Sequence, residues 1–360
     1  VGFVVLLKGE ADERSLPIFI GAAEAQDLPQ HLVCVLSRGR RWPLRHVRRV
    51  REPQRAANLR HAVKMGILLL ALVTAPAFAG GGERRPAYLL EVPESIDTVL
   101  IAETDSATLH YFDDSGAGML RTGGSYMSIG LKGAGKQRAW DRKTPLGIYF
   151  ITEQLDTSKL HEKYGPTAFP LDYPNIWDRY NRRSGDGIWI HGVTPGGERR
   201  PERDTDGCIA LPNDELLALE PRLEPLSTPV VITRRIRWQS AEEIEAARAE
   251  LRRGLDAWVA SYAGGDLHRY LSLYADDFTY RGMDRDQWAA FRTQSITSAP
   301  PREIALEDVF LLADPEDDGL YLARFRQTIA YDDRTVATIK RLYWRRTPEG
   351  ALEIVAEDNG

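Results

Sequence analysis

Between residues 98 and 151 the apolar positions fall in short runs separated by turn residues. Residues 98–102, 108–112 and 118–122 are bounded by Asp-Ser and Asp-Asp-Ser-Gly, which predicts strands joined by tight turns. Residues 127–130 and 146–151 extend the series, and 228–233 reads as a closing strand. Such spacing suits a mostly antiparallel sandwich or barrel-like sheet. A helix is expected from Asn213, with that residue as its N-cap. Past residues 234–239 the period changes. Ser240-Ala-Glu-Glu243 is a capping box, and Ile244, Ala247, Leu251, Leu255, Trp258, Val259 and Tyr262 recur at helical spacing. Gly264-Gly265 stops that helix, and residues 266–278 supply a second short one. Residues 305–312, 320–331, 334–344 and 352–356 then alternate as strands. The pattern therefore predicts a mainly β domain followed by an α+β domain, helices first and a curved antiparallel sheet after.

The first 79 residues read differently. Residues 4–26 are two apolar runs about a charged turn, a hairpin pattern that resembles a short piece of the bifunctional nuclease domain. Residues 38–60 hold nine arginines with Glu52 as the only acid. Residues 65–79 are a short apolar run closing on Ala77-Phe78-Ala79, with Lys64 before it, which predicts a secretory signal peptide cleaved before Gly80. The expectation is that 1–62 is a leader outside the functional protein and 63–79 the export signal, so the working chain lies in the periplasm or cell envelope.

Charge sharpens this division. Residues 1–79 carry 12 Lys and Arg against 6 Asp and Glu, whereas the whole chain carries 47 against 52. The body is therefore acidic, which argues against nucleic acid as a partner. Once residues 1–79 are set aside, Cys34 goes with them and Cys208 is the only thiol left in an exported chain. It cannot form an internal disulfide.

Cys208 follows a glycine turn, Asp204-Thr-Asp-Gly207-Cys208, and an apolar strand just upstream delivers His191 in Ile188-Trp-Ile-His191-Gly192. A cysteine attacks as thiolate, and a neighbouring imidazole is the usual acceptor of its proton. The intervening loop, 193–203, is rich in Gly, Pro and charge and reads as an exposed rim. Histidines are scattered, none at ligand spacing with a Cys, so neither a metal nor any other cofactor is expected. Lys132-Gly-Ala-Gly-Lys136 lacks phosphate-loop spacing and reads as a basic loop before the site.

His-Gly, a gap of this size, then Ser/Thr-x-Gly-Cys-Ile resembles the L,D-transpeptidase (YkuD) catalytic domain. Gly133-x-Gly135-Lys136 and Lys143-Thr-Pro-x-Gly147-x-Tyr149-Phe150 are similar to that family's approach to its site. The resemblance spans about 95–236. It departs at two places: Asp206 stands where the family commonly has His, and Ala210 where it commonly has a substrate-holding Arg. The Trp, Tyr and Phe spacing over 240–358 resembles an NTF2/SnoaL-like cone. The resemblance implies a YkuD-like β-sandwich followed by an NTF2-like α+β cone. It further implies Cys208 as nucleophile and His191 as general base and acid, acting on peptidoglycan stem peptides through a thioester. Thr205, a nearby carbonyl or Asp206 would orient the imidazole, and backbone N–H groups near Gly207 and Cys208 would serve the oxyanion. Gly192, Tyr173, Arg179, Arg203 and Lys136 are the expected substrate contacts. Alternatives from the same residues are a hydrolase that trims stems or frees a wall-linked lipoprotein, and a non-catalytic wall-binding protein. The cone is expected to bind a ligand or to dimerise.

Overall fold

The computed structural model describes residues 84–359 apart from Ala117 and Glu198, together with the backbone of two strands near the start of the chain. Those two, Phe3–Lys8 and Ser15–Ile20, pair antiparallel as the expected hairpin. Cys34, the arginine-rich stretch and the signal-peptide segment lie outside the described residues.

The strand runs of 98–151 build a five-stranded sheet in the order Met119–Tyr126, Thr108–Asp114, Thr98–Glu103, Pro229–Thr233, Gly147–Phe150. Thr98–Glu103 is buried at every position but its last. A strand covered on one face would alternate; this one is apolar without a break from Val99 to Ala102, and both its faces are covered. Leu100, Ala102, Leu109, Tyr111, Val230 and Ile232 point into the N-terminal half's own core. Val99, Ile101, Phe112, Ile148, Phe150 and Val231 point the other way, into a second core shared with Phe310, Leu312, Leu322, Tyr343 and Val355 of the C-terminal half.

Opposite the first core lies a three-stranded sheet, Ala168–Pro170, Trp189–His191 and Ile209–Ala210. The last two pair in parallel, Ile190 with Ile209 and His191 with Ala210. Ile190 and Ile209 face inward and are fully buried. The period of two then turns Trp189, His191, Cys208 and Ala210 to the other face.

In the C-terminal half, Ser240 and Glu243 form the expected capping box at the head of helix Ala241–Ala263. That helix, Leu267–Ser272 and Arg285–Ser298 pack on a seven-stranded sheet around a core of Trp258, Tyr270, Tyr274, Phe278, Trp288 and Trp344. The expected helix over 266–278 breaks at Leu273, and Tyr274–Tyr280 is a strand beside Leu352–Asn359. The β-branched and aromatic residues after Leu273 favour the extended form once a sheet edge is available. The outermost strand of this sheet comes from elsewhere: Leu89–Glu91 pairs with Glu303–Ala313. Just before it, Arg84–Pro86 pairs with Trp238–Ser240.

Candidate active site

His191 ends one strand and Cys208 precedes its in-register neighbour, so the parallel ladder carries both side chains to one face. Both line a cleft of about 660 Å³ with Lys136, Trp140, Lys163, Tyr164 and Arg200 among its walls. The turn that delivers the cysteine is tightly specified. Gly207 has φ +132°, and a Cβ there would lie 2.7 Å from the Lys143 carbonyl oxygen. Thr144 Oγ1 donates to the Gly207 carbonyl at 2.9 Å and accepts the Gly130 N–H at 2.9 Å. The Lys143-Thr144-Pro145 motif thus buttresses the cysteine turn from behind.

The imidazole is buried, with Nδ1 2.6 Å from the carbonyl oxygen of Gly192. A carbonyl only accepts, so Nδ1 carries the hydrogen and Nε2 keeps its lone pair. Tyr164 packs edge-on against the ring at 5.2 Å between centroids. Burial holds the His191 pKa down at about 4, with the Gly192 carbonyl pulling the other way and Arg200 and Lys163 adding to the depression. Burial likewise pushes the Cys208 thiol above its ordinary value, although a backbone hydrogen bond at Trp189 and the Lys163 charge act against it. Its Sγ lies 3.2 Å from the Gly187 carbonyl oxygen, to which the thiol donates. The resting cleft therefore holds a neutral thiol and a neutral imidazole, the thiol turned to the Gly187 carbonyl.

Several expected contacts fall elsewhere. Thr205 does not reach the imidazole: its hydroxyl donates to the Cys208 carbonyl at 2.7 Å and accepts the Gly207 N–H at 3.1 Å. That second bond also occupies the Gly207 N–H, which leaves the Cys208 amide as the turn's donor. Gly192 is required by packing, since a Cβ would sit 2.3 Å from Asn213 Oδ1 and 2.8 Å from Pro166 Cδ. Tyr173 is buried, edge-on to Tyr149, with its hydroxyl on the Ser184 carbonyl at 3.0 Å. Arg179 turns to the C-terminal half, 3.6 Å from Asp358. Arg203 lies over Gly133 rather than among the cleft residues. Lys136 does line the cleft, buried and paired with Asp141 at 2.9 Å. Asn213 is not a cap either. Pro212 holds that position, and the Asn213 side chain instead clamps Val193, accepting from its N–H at 2.7 Å and donating to its carbonyl at 3.0 Å.

The motif did not single out Tyr164, Lys163, Trp140, Arg142 or Arg200, which come from three separate loops. Only their aromatic and basic character marked them. Among the described residues no group of three or more His, Cys, Asp or Glu is arranged to hold a metal ion. No helix there is long and apolar enough to cross a membrane.

A second cavity, about 210 Å³, opens in the C-terminal half between Trp258, Tyr262, Trp288, Arg292, Gln327 and Glu357. Arg292 sits over the Tyr262 ring at 4.7 Å and donates to the Tyr270 hydroxyl at 3.0 Å. Gln327 Nε2 and Trp288 Nε1 are buried there without hydrogen-bond partners.

The chain matches the L,D-transpeptidase catalytic domain family (YkuD) over residues 97–232. Over 250–358 it matches the Cds6 C-terminal NTF2-like domain. Among solved structures it is similar to Bd1075 of Bdellovibrio bacteriovorus, at 23% identity and a TM-score of 0.64 over 77% of this chain and 98% of that one. It is also similar to the helical cell shape determining protein Pgp2 of Campylobacter jejuni, at 23% identity and a TM-score of 0.63 over 77% and 93% of the two chains. At that identity the likeness is one of fold, and it extends across both halves. No curated protein matches the chain in sequence.

Proposed function

Because residues 97–232 form a YkuD L,D-transpeptidase catalytic domain and 250–358 an NTF2-like domain, we propose that this protein is a periplasmic cysteine acyltransferase acting on peptidoglycan stem peptides. One observation carries the reading. The Gly192 carbonyl fixes the His191 tautomer that leaves the Nε2 lone pair free to accept a proton, in the same cleft and on the same sheet face as Cys208. As a stem peptide enters, Nε2 takes the thiol proton and the sulfur attacks the carbonyl carbon of the amide before a terminal D-alanine. The Cys208 amide stabilises the oxyanion. His191 returns the proton to the departing D-alanine amine, leaving a thioester on Cys208. An amine of a second stem peptide attacks that thioester, His191 accepts the amine's proton and passes it to the Cys208 sulfur as the C–S bond breaks, and the cross-linked peptide leaves with thiol and imidazole restored.

Hydrolysis of the same thioester is the second reading. Ala210, in the place of the family's substrate-holding Arg, is buried against Ser128 and offers no charge to an acceptor peptide. The rest of the neighbourhood suits either outcome: Lys163 and Arg200 present positive charge to carboxylates, and Asp186 and Asp206 present negative charge to an amine. A wall-linked lipoprotein is an alternative acyl donor under the same chemistry. In the NTF2-like domain the Arg292, Gln327 and Trp288 donors suit a small ligand bearing a carboxylate or carbonyl, which favours binding there over dimerisation.

Liquid chromatography with mass spectrometry of tetrapeptide-bearing wall fragments, incubated with the protein or with Cys208→Ala, tests the proposal. Cross-linked dimers that need Cys208 support transpeptidation. Shortened stems without dimers support hydrolysis, and no Cys208-dependent product leaves a wall-binding protein. Export is tested by sequencing the N-terminus of the periplasmic form, which should begin at Gly80.

A further inference from the structure

One wall of the cleft is the loop 136–142, and it is locked in place. The Asp141 carboxylate accepts from Lys136 Nζ at 2.9 Å and from the backbone N–H groups of Gln137, Arg138 and Lys143 at 2.8, 3.1 and 3.1 Å. Ser184 N–H donates to the Gln137 carbonyl at 3.1 Å, tying the loop to the neighbouring wall. This framework holds two non-glycine residues in the left-handed region, Trp140 at φ +62° and Arg142 at φ +58°. A conformation that side chains avoid persists where its surroundings over-determine it. What the loop displays is an indole that is 94% exposed, at the mouth of a cleft otherwise walled largely by charge. Among the described residues no other tryptophan exceeds the 36% of Trp238. A large apolar ring kept in water on a rigid loop is a surface prepared for contact, and its preorganisation spares a ligand the cost of ordering it.

We propose that Trp140 is a specificity-determining residue whose indole face stacks on a sugar ring of the glycan that carries the stem peptide. The inference rests on the peptidoglycan reading above. Lys136, Arg142, Lys163 and Arg200, set against Asp186, Asp204 and Asp206, give the cleft interior a charged lining that suits the carboxylates and amines of a peptide. The indole offers none of that chemistry. Its π face attracts the weakly positive C–H face of a pyranose, as ring faces attract cations and the edges of other rings. Its place at the mouth matches the part of the substrate that stays outside when the peptide is inside. The cleft therefore prefers stem peptides still attached to glycan over free peptides.

The test is calorimetric titration of Cys208→Ala protein, which cannot turn over, with a disaccharide-tetrapeptide and with the same tetrapeptide lacking sugar. The glycan-bearing ligand should bind about ten-fold more tightly, and adding Trp140→Ala should remove that advantage while leaving free-peptide affinity unchanged. Trp140→Tyr should keep most of it. Equal affinity for the two ligands, an advantage that survives Trp140→Ala, a loss on both ligands alike, or no binding of either ligand would each overturn the proposal. Circular dichroism melts confirm that the variants fold. A Trp140-dependent glycan advantage in a protein whose wild type yields no Cys208-dependent product would sink the catalytic reading and leave this one standing.

Discussion

His191 has two nitrogens in two environments. Nδ1 is spent on the Gly192 carbonyl, and Nε2 faces a cleft that also raises the pKa of the thiol. Neither partner carries charge at rest, so kcat/KM should stay flat from about pH 5 to 8, with an acid limb set by His191 near 4 and an alkaline limb above the ordinary thiol range. A bell centred near pH 6.5 would instead indicate a thiolate–imidazolium pair. The same depression makes the fold acid-sensitive. The unfolded imidazole takes its proton near pH 6.5 while the folded one waits until about 4. This stabilisation is thus complete above 6.5 and is lost as pH falls to 4. Urea midpoints compared with a His191→Gln variant over that window should show the wild type losing on the order of 3 kcal/mol relative to the variant between pH 7 and 4. Gly192→Ala places a methyl against Asn213 and Pro166 and should cost about 2–3 kcal/mol in denaturant melts, with loss of turnover.

Each reactive side chain is held by an element whose sequence signal was uneven. The strand Trp189–His191 and the glycine turn before Cys208 were legible because an apolar run and a glycine with φ +132° leave few alternatives. The capping box at Ser240 was legible too, being a purely local pattern. Asn213 was misread for the opposite reason. A side chain that caps and one that clamps a distant backbone look the same in sequence, and only the fold brings Val193 within reach. Asn213→Ala should remove two hydrogen bonds beside His191, costing about 2 kcal/mol and lowering kcat more than it raises KM. Asn213→Asp, which keeps the acceptor for the Val193 N–H, should retain part of both. Tyr173 and Arg179 are expected at substrate only through the resemblance to the family. The short helix Ile176–Tyr180, which carries Arg179, instead turns Trp177 into the shared core, where it stacks on Tyr343 at 5.7 Å.

The two halves behave as one body because the five-stranded sheet is apolar on both faces and the second face belongs to the C-terminal half. The sequence shows short apolar runs there without showing that both faces of the sheet are covered, or by what. Polar pairing reinforces the contact: Arg341 binds Asp172 at 2.5 Å and Asp358 at 2.7 Å, and Arg345 and Tyr180 meet on Asp277. Arg341→Ala leaves two largely buried carboxylates facing each other and should cost about 3–5 kcal/mol. Calorimetry should show both halves melting in one transition, in the wild type and in the variant; two separated peaks would refute the shared core. The strand Leu89–Glu91 adds a matter of timing. It lies near the front of the described chain, yet its partner is Glu303–Ala313, more than two hundred residues later. A chain delivered from its N-terminus must keep that segment waiting until nearly all of the polypeptide has arrived. An interrupted product would meanwhile show Val99, Ile101, Phe112 and Phe150 to the solvent. Such a fragment invites proteolysis, so the cleft that holds His191 and Cys208 should persist only in molecules whose sheet has been completed by Glu303–Ala313.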